Sequence, residues 1–294
     1  MSVAVPERVA GRSGERTTVA SLVEDRIVEG VFAVARKRRL TTRAGRPYLA
    51  LELVDRTGHV EGRVWSDVEL LDARFREGDA VRVLARVERF RDRLQLDVRS
   101  VEPADTDASS LVPESHRDLD ELDGYFEFLA AEVSHPGLAE VVANFVADGE
   151  LRARLRSLPA TPTGHHSYAG GLLEHTVAVA TLCREAAELH RRLRRDLLVT
   201  AALLHDVGRT RELGPGPIFR ATTEGALLGH VHLGVRIVEQ RAGTLPVEIR
   251  AELLHAVASH HDARAAQTAE ALVVVHANAL DAAAATRRVE TPER

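Results

Sequence analysis

Apolar and polar residues alternate in short runs between residues 26 and 102. In the clearest run, Leu49, Leu51 and Leu53 fall on one face, which is typical of a strand that is buried on one side. Glycine and aspartate mark turns between the runs, for example at 55–58. Five such strands, with a helical piece near 67–75, predict a small closed barrel of the OB-fold type.

A helical pattern replaces this alternation after residue 115. Apolar residues then recur every three or four positions, and glycine and proline separate several of the stretches. The pattern predicts an all-α domain with helices at 118–132, 136–146, 148–157, 170–194, 196–207, 224–242, 247–261 and 268–285.

Two segments fit neither pattern. Residues 103–115 are rich in Pro, Ser and Asp and are expected to form a linker, whereas residues 1–25 show no clear period and are expected to form a flexible lead. The sequence therefore predicts a multidomain chain. Its parts are the lead at 1–25, an all-β OB-fold domain at 26–102, the linker at 103–115 and an all-α domain at 116–294.

Charge is divided unequally between the two predicted domains. Residues 1–103 hold 20 basic and 17 acidic residues, whereas the remainder holds 19 basic and 27 acidic residues. Most of the 14 histidines follow residue 160. A basic N-terminal part and an acidic, histidine-rich C-terminal part indicate an anion-binding domain joined to a metal site.

Cysteine content and hydropathy bear on where the protein works. The single cysteine, Cys183, excludes a disulfide within the chain and favours a reducing compartment. The first 30 residues carry charges throughout, unlike a secretory signal. No window approaches the roughly 20 apolar residues of a membrane span. We therefore expect a cytoplasmic protein without a membrane partner.

Histidines and aspartates occupy the predicted inner faces of successive helices. His175, for example, has Leu172 at −3 and Val179 at +4, which places its side chain in the core. Six such groups are costly to bury without compensation. A bound cation neutralises the carboxylates and takes up the imidazole lone pairs. The candidate ligands are His175, His205, Asp206, His230, His260 and Asp281.

A structural role is the alternative for each of these residues. A single inward histidine is usually a hydrogen-bonded core residue, and Asp206 at a helix end could cap or pair locally. The whole set, inward at every position, favours a metal site. We interpret the other helical histidines as structural or surface groups: His190, His232, His255 and His276.

The order His175, His205-Asp206, Asp281 resembles the HD superfamily of metal-dependent phosphohydrolases. Four strings more specifically resemble the YhaM family of 3′→5′ exoribonucleases: GHHSYAGGLLEHT at 164–176, LLHDVG at 203–208, EGALLGH at 224–230 and SHH at 259–261. The resemblance extends over about 26–285 and includes Trp65. It implies an OB-fold followed by an HD domain that removes nucleotides from 3′ ends of RNA or single-stranded DNA, usually with manganese.

Three positions depart from the family pattern. Arg209 stands where the family has lysine, Asp262 stands where glycine is common, and the last helix is more apolar than usual while it keeps the Asn-x-Leu-Asp ending. The chain has one lysine, Lys37, against 38 arginines, so the change at 209 fits its general composition. Arginine keeps the charge but differs in geometry.

The resemblance implies a site with two divalent cations. We expect His175, His205, Asp206 and Asp281 to hold the first ion, and Asp206 to bridge to a second. The second ion would be held by His230 and His260, with His261 as an extra ligand. Imidazole and carboxylate ligands without thiolate favour Mn²⁺, with Fe²⁺, Co²⁺ or Mg²⁺ as alternatives.

The water between the ions would be the nucleophile, with Asp206 in a catalytic role. Arg209 and His165 or His166 would contact the phosphate, although surface or capping roles are open for these three.

Basic and aromatic residues of the barrel are the candidate nucleic-acid contacts. Arginines offer phosphate contacts and aromatic rings offer stacking surfaces for bases. A charge run is more often a solvated face, and aromatic residues on strands are more often core. The candidates are Arg36, Lys37, Arg38, Arg39, Arg43, Arg46, Tyr48, Trp65, Arg91 and Arg93.

Three functions are compatible with these features. The first is a metal-dependent 3′→5′ exonuclease acting on single-stranded RNA or DNA. The second is an HD-domain phosphohydrolase acting on a small nucleotide, with the barrel used for homo-oligomer assembly or regulation. The third is a non-catalytic OB-fold nucleic-acid-binding protein. The complete ligand set favours the first two, and the basic barrel favours the first.

Overall fold

The computed structural model describes residues 17–162, 164–214 and 219–286. The chain divides into two compact units, Met1–Val112 and Pro113–Arg294. The division falls inside the predicted linker, and the following paragraphs describe each unit by itself.

The first unit is a closed five-stranded barrel. Its strands are β1 (Ile27–Thr41), β2 (Pro47–Asp55), β3 (Gly58–Val64), β4 (Ala80–Phe90) and β5 (Arg93–Pro103). They are ordered β1-β2-β3-β5-β4, and only the β3–β5 pair is parallel among them. A short helix, α1 (Val68–Asp72), connects β3 to β4. The predicted OB-fold barrel is confirmed, including the helical piece near 67–75.

The period-two pattern of the strands builds the barrel core. Leu49, Leu51 and Leu53 on β2 are almost fully buried, as are Val81 and Val83 on β4. Because neighbouring side chains of a strand point to opposite faces, the intervening polar residues are left on the outer surface. Burial of these apolar residues builds the barrel core, and the pairing of β1 with β4 closes the barrel.

The barrel extends beyond the predicted domain start. Residues 1–16 of the expected lead lie outside the described residues, but residues 17–25 pack against the barrel. The backbone N–H of Val19 donates to Asp55 Oδ2 at 2.7 Å, and that of Ala20 donates to Thr57 Oγ1 at 2.9 Å. Leu22 is buried in the barrel core. Residues 17–25 are therefore not part of a flexible lead. The sequence pattern missed them because three contacts with residues of the barrel hold them in place, and such contacts leave no hydrophobic period.

The second unit is all-helical. Its helices are α2 (Leu119–Ala131), α3 (Pro136–Val146), α4 (Gly149–Ser157), α5 (Gly171–Leu189), α6 (Arg195–Leu204), α7 (Arg209–Glu212), α8 (Thr223–Arg241), α9 (Val247–Ser259) and α10 (Ala269–Thr286). Eight of these match the predicted helices, most of them within two residues at each end. The four-residue α7 was not predicted, since it makes about one helical turn and is too short for the period to repeat.

Side-chain caps explain several helix starts. Asp118 accepts hydrogen bonds from the backbone of Asp120 and Glu121 at the start of α2, and Asp148 accepts one from Leu151 at the start of α4. Such caps satisfy backbone donors that have no partner within the helix.

Helix α6 lies at the centre of the helical core. Every residue from Leu197 to Leu204 is buried, and all of them except Thr200 are apolar, as is typical of a helix enclosed on all sides. It packs against α5, α9 and α10. The residues that directly follow α6 therefore lie in the protein interior, where polar side chains need hydrogen-bond or metal partners.

No helix within the three described ranges combines the length and the apolar character needed to cross a membrane.

Candidate metal centre and nucleic-acid interface

The site is built around Asp206, in the turn that follows α6. Its side chain is 2% exposed. Its two carboxylate oxygens face two different groups of histidines, which lie on α5 and α8 and in the residues that directly follow α6 and α9. A single buried carboxylate thus lies between two clusters of nitrogen donors.

The first cluster contains His175, His205 and Asp206. The Nε2 atoms of the two histidines lie 3.2 Å apart, and they lie 3.9 and 3.8 Å from Asp206 Oδ2. His205 Nδ1 lies 2.7 Å from the carbonyl oxygen of Ala202, so this nitrogen carries the proton and donates it. The Nε2 lone pair of His205 is therefore directed towards the cluster.

The second cluster contains Asp206, His230, His260 and His261. Asp206 Oδ1 lies 3.3 Å from His230 Nε2 and 3.4 Å from His260 Nε2. His230 Nε2 also lies 2.8 Å from His261 Nε2. His260 Nδ1 lies 2.6 Å from the carbonyl oxygen of Val257, which leaves its Nε2 unprotonated by the same reasoning as for His205.

Two atoms of the second cluster fit a cation. Asp206 Oδ1 and His260 Nε2 are buried and have no hydrogen-bond partner within the described residues. A buried acceptor without a partner costs about 1–3 kcal/mol, so these two acceptors are best explained by a ligand that accepts their lone pairs. Nitrogen and oxygen donors without thiolate suit a divalent ion such as Mn²⁺ or Fe²⁺. The residues present therefore fit the predicted metal.

The pKa values of the cluster suit metal binding. Burial lowers the pKa of His205 to about 3 and that of His261 to about 4. Burial acts to raise the pKa of Asp206, but the contact with His260 and the nearby His205 and Arg209 hold it well below its usual range. Neutral imidazoles and an ionised carboxylate are the forms that bind a metal.

Asp281 lies on the other side of His175 from the first cluster. Its Oδ2 is 2.6 Å from His175 Nδ1 and 2.9 Å from His166 Nε2. We predicted that Asp281 shares an ion with His175, His205 and Asp206, but the structure groups it with His166 and His175. In this position, Asp281 orients the His175 ring through the nitrogen that faces away from Asp206.

A hydrogen-bond chain continues outward from Asp281. His166 Nδ1 lies 2.6 Å from the Tyr168 hydroxyl, which donates to Glu174 Oε2 at 2.9 Å. His166 is buried and has a φ of 46°. We predicted a phosphate contact for His166; in the structure its two ring nitrogens face Tyr168 and Asp281, and the phosphate contact stays a prediction. His165, the other candidate, is half-buried, and its ring lies 5.0 Å from that of His175.

Arg209 is buried next to Asp206. Its Nε is 3.6 Å from Asp206 Oδ1, and its terminal nitrogen donates to Glu212 Oε2 at 2.6 Å. Arg209 thus lies beside Asp206, and its predicted phosphate contact stays a prediction. Glu212 was not predicted, although its spacing of three from Arg209 on a helical turn would have indicated the contact had α7 been recognised.

Lys37 does not belong to the nucleic-acid surface. Its ammonium group forms an ion pair with Asp72 Oδ1 at 2.7 Å and donates to the carbonyl oxygens of Asp72 and Phe75 at 2.7 and 2.6 Å. It also lies over the Phe75 ring. This corrects the predicted role, because Lys37 is used to hold the end of α1 against the barrel.

The other barrel candidates lie at the surface. Tyr48 stacks on Trp65 with ring centroids 4.8 Å apart, and the Trp65 side chain is 49% exposed. Arg39 pairs with Glu69 at 3.1 Å. Arg91 lies over the exposed ring of Phe90. The exposed arginines among the predicted contacts are Arg36, Arg38, Arg39, Arg43, Arg46, Arg91 and Arg93.

Comparisons with known proteins agree with both units. Residues 31–104 match the OB-fold nucleic acid binding domain, and residues 172–283 match the HD domain. The chain is 28% identical to the 3'-5' exoribonuclease YhaM of Bacillus velezensis over 244 residues, which cover 80% of this chain and 76% of that protein. It is 29% identical to the same-named protein of Bacillus subtilis, over 74% of this chain and 70% of that protein.

Among solved structures, the second OB-fold domain of replication protein A from Methanococcus maripaludis is 18% identical, covering 31% of this chain and 97% of that chain with a TM-score of 0.26. The family matches and the two YhaM proteins confirm the resemblance found in the sequence motifs. The chain is therefore an OB-fold domain followed by an HD domain, and it is similar over most of its length to 3'-5' exoribonucleases named YhaM.

Proposed function

We propose that this protein is a metal-dependent 3′→5′ exonuclease that hydrolyses phosphodiester bonds of single-stranded RNA, with single-stranded DNA as a second substrate. The observation that carries the proposal is the carboxylate of Asp206, whose two oxygens face two separate histidine clusters. The reaction type, 3′→5′ hydrolysis of RNA, is taken from the relatives, which are named 3'-5' exoribonuclease YhaM.

The two clusters would hold two divalent ions, with Mn²⁺ favoured. His175 and His205 would bind one ion with Asp206 Oδ2, and His230 and His260 would bind the other with Asp206 Oδ1. His261 would be a further ligand of the second ion. When bound, the two ions would supply an activated water and neutralise charge on the phosphate. Asp281 would support the first ion through the ring of His175.

Arg209 would contact the scissile phosphate. Its guanidinium is held at the edge of the second cluster, where its buried Nε has no hydrogen-bond partner within the described residues. Charge-assisted hydrogen bonds from a fixed guanidinium stabilise phosphate oxygens as their charge grows in the transition state. Arginine would therefore serve in place of the family lysine.

The barrel would bind the single strand. Tyr48 and Trp65 offer a stacking surface, and Arg38 and Arg63 flank Ala50 on neighbouring strands of the same outer face. OB-folds that bind single strands combine a basic groove with such aromatic rings. Because phosphate contacts release counterions, tripling the salt concentration is expected to weaken RNA binding steeply. An affinity that does not change with salt would count against this role.

Cytoplasmic location and self-association are further parts of the proposal. The buried, unpaired thiol of Cys183 suits a reducing compartment. Light scattering of the purified protein would measure the number of chains in the particle.

One assay separates the proposed function from its alternatives. Metal-loaded protein would be incubated with 5′-labelled single-stranded RNA or DNA, and the experiment repeated with Asp206→Ala. We expect a ladder shortened from the 3′ end, which Asp206→Ala abolishes and Asp105→Ala, at an exposed carboxylate, leaves unchanged. Turnover of mononucleotides alone would instead support the small-nucleotide phosphohydrolase, and binding without turnover would support the non-catalytic protein.

A further inference from the structure

Glu212 connects two groups that face Asp206. This residue ends α7, and its side chain is 14% exposed. Its Oε2 accepts a hydrogen bond from Arg209 at 2.6 Å. Its Oε1 accepts one from the backbone N–H of His230 at 3.2 Å and lies 3.4 Å from His230 Nδ1. One oxygen of this carboxylate therefore binds the Arg209 guanidinium, and the other contacts His230 at its backbone N–H and at its Nδ1.

A break in α8 explains why the backbone N–H of His230 reaches Glu212. Gly229, which precedes it, has a φ of 70° and a ψ of 161°, outside the helical region. Glycine adopts this conformation without the strain that a side chain would add. In an unbroken helix, the N–H of His230 would donate to the carbonyl four residues earlier. The break directs it towards Glu212 instead.

The two groups that Glu212 holds converge on one oxygen. His230 Nε2 lies 3.3 Å from Asp206 Oδ1, and Arg209 Nε lies 3.6 Å from the same atom. Within the described residues, Glu212 forms no hydrogen bond or ion pair with Asp206, so its influence on the site passes through these two side chains. The carboxylate holds the nitrogen of His230 that faces away from the cluster.

We propose that Glu212 is a positioning residue for the second ion: it fixes the His230 ring so that Nε2 faces Asp206 Oδ1, and it fixes Arg209 beside them. This inference deepens the proposed function and rests on its second metal site. Carboxylates that accept a proton from the outer nitrogen of a ligand histidine set its tautomer and ring orientation. Their loss typically reduces metal affinity about 10- to 100-fold.

A simpler role for Glu212 is a local ion pair that stabilises α7. Ion pairs spaced three residues apart contribute little to the stability of a helix. An ion pair with Arg209 would use one carboxylate oxygen and would not require the break at Gly229. The use of the second oxygen for His230 therefore distinguishes a positioning role from a local one.

The test is a Mn²⁺ titration of the metal-free full chain, with free Mn²⁺ counted by its electron paramagnetic resonance signal. We expect two bound ions for the unmodified protein. Glu212→Gln should keep one ion at unchanged affinity and bind the other about 10- to 100-fold more weakly. Gly229→Ala, which keeps the carboxylate but disfavours the break, should weaken the same ion. Glu224→Gln, at an exposed carboxylate paired with Arg236, should bind both ions normally.

Thermal unfolding of each metal-free variant and the RNA assay complete the design. A single bound ion in the unmodified protein, or normal binding of both ions by Glu212→Gln, would overturn the inference. So would loss of both ions together with a lowered unfolding midpoint, because that result indicates a structural role. If the metal results are as expected but RNA stays intact, the proposed function fails and the positioning role of Glu212 stands.

Discussion

At the scale of single residues, chemically similar side chains have different roles because their partners differ. His205 and His260 each donate from Nδ1 to a carbonyl oxygen three residues earlier, which leaves Nε2 for a metal. His166 has both nitrogens next to protein groups, Tyr168 and Asp281. Burial and partners, rather than residue type, separate candidate ligands from supporting histidines.

The same burial predicts how stability depends on pH. The folded, metal-free protein holds the pKa of His205 at about 3, against an ordinary value of 6.5. Between these values the unfolded chain binds a proton that the folded chain does not, so the free energy of unfolding rises with pH. We expect fully buried His205 alone to give a slope of about 1.4 kcal/mol per pH unit from about pH 4 to 6.

His261, whose pKa is lowered to about 4, adds in the same direction. Urea unfolding in the presence of a chelator, repeated between pH 5 and pH 7.5, measures the slope. It should flatten above about pH 6.5, where the unfolded histidine is also neutral. A free energy of unfolding that is constant across this window would contradict a buried neutral imidazole.

At the scale of elements, the site depends on close contact between the turn before α7 and the middle of α8. Gly208 precedes α7, and a Cβ there would lie 1.9 Å from the carbonyl oxygen of His230 and 2.5 Å from the backbone nitrogen of Gly234. These are backbone atoms, which cannot swing aside as a side chain can. Glycine at 208 thus allows α8 to bring His230 up to Asp206.

Gly208→Ala is therefore expected to be destabilising. Forcing an extra methyl group between packed elements costs about 1–3 kcal/mol, and the separation of α7 from α8 should also weaken the second ion. The matched control is Gly124→Ala within α2, where a Cβ meets no atom within 4 Å. That change should stabilise the protein by about 0.5–1 kcal/mol, because alanine is the better helix former.

Urea unfolding of both glycine variants gives the comparison, with opposite signs expected for the two changes. Equal stability of Gly208→Ala and the unmodified protein would show that the two elements can separate without cost.

At the scale of the whole molecule, the two units have different cores and different proposed functions, RNA binding for the barrel and metal binding for the helical unit. The barrel core consists of alternate residues from strands, whereas the helical core surrounds α6. Every candidate metal ligand lies in the helical unit, and every candidate contact of the basic surface lies in the barrel. Changes on the barrel surface are therefore expected to leave metal binding unchanged.

Trp65→Ala tests this division. Loss of a base-stacking ring costs about 1–3 kcal/mol, so the affinity for single-stranded RNA should fall roughly 5- to 150-fold. Fluorescence anisotropy with labelled RNA in a chelator measures binding without hydrolysis, and a Mn²⁺ titration should show unchanged metal affinity. Ile27→Ala, at an exposed apolar residue that pairs with β4, is the control. Unchanged RNA affinity of Trp65→Ala would exclude the ring from the binding surface.

The sequence predicted most elements because their signals are local. Alternation identified β2, and the helical period with glycine and proline breaks located α3 at 136–146. It missed α7 because four residues are too few for a period. It misassigned Lys37 because the partners Asp72 and Phe75 are 35 and 38 residues away, beyond the reach of any local pattern.

By itself, the sequence determined the order of the domains, their secondary structure and the identity of most candidate ligands. These follow from the spacing of apolar and metal-binding residue types along the chain. Only the tertiary structure decided which atom faces which: that Asp206 divides its oxygens between two clusters, that Asp281 meets the outer nitrogen of His175, and that Glu212 holds His230. Such contacts join residues from separate helices, and their geometry is set by how the helices pack.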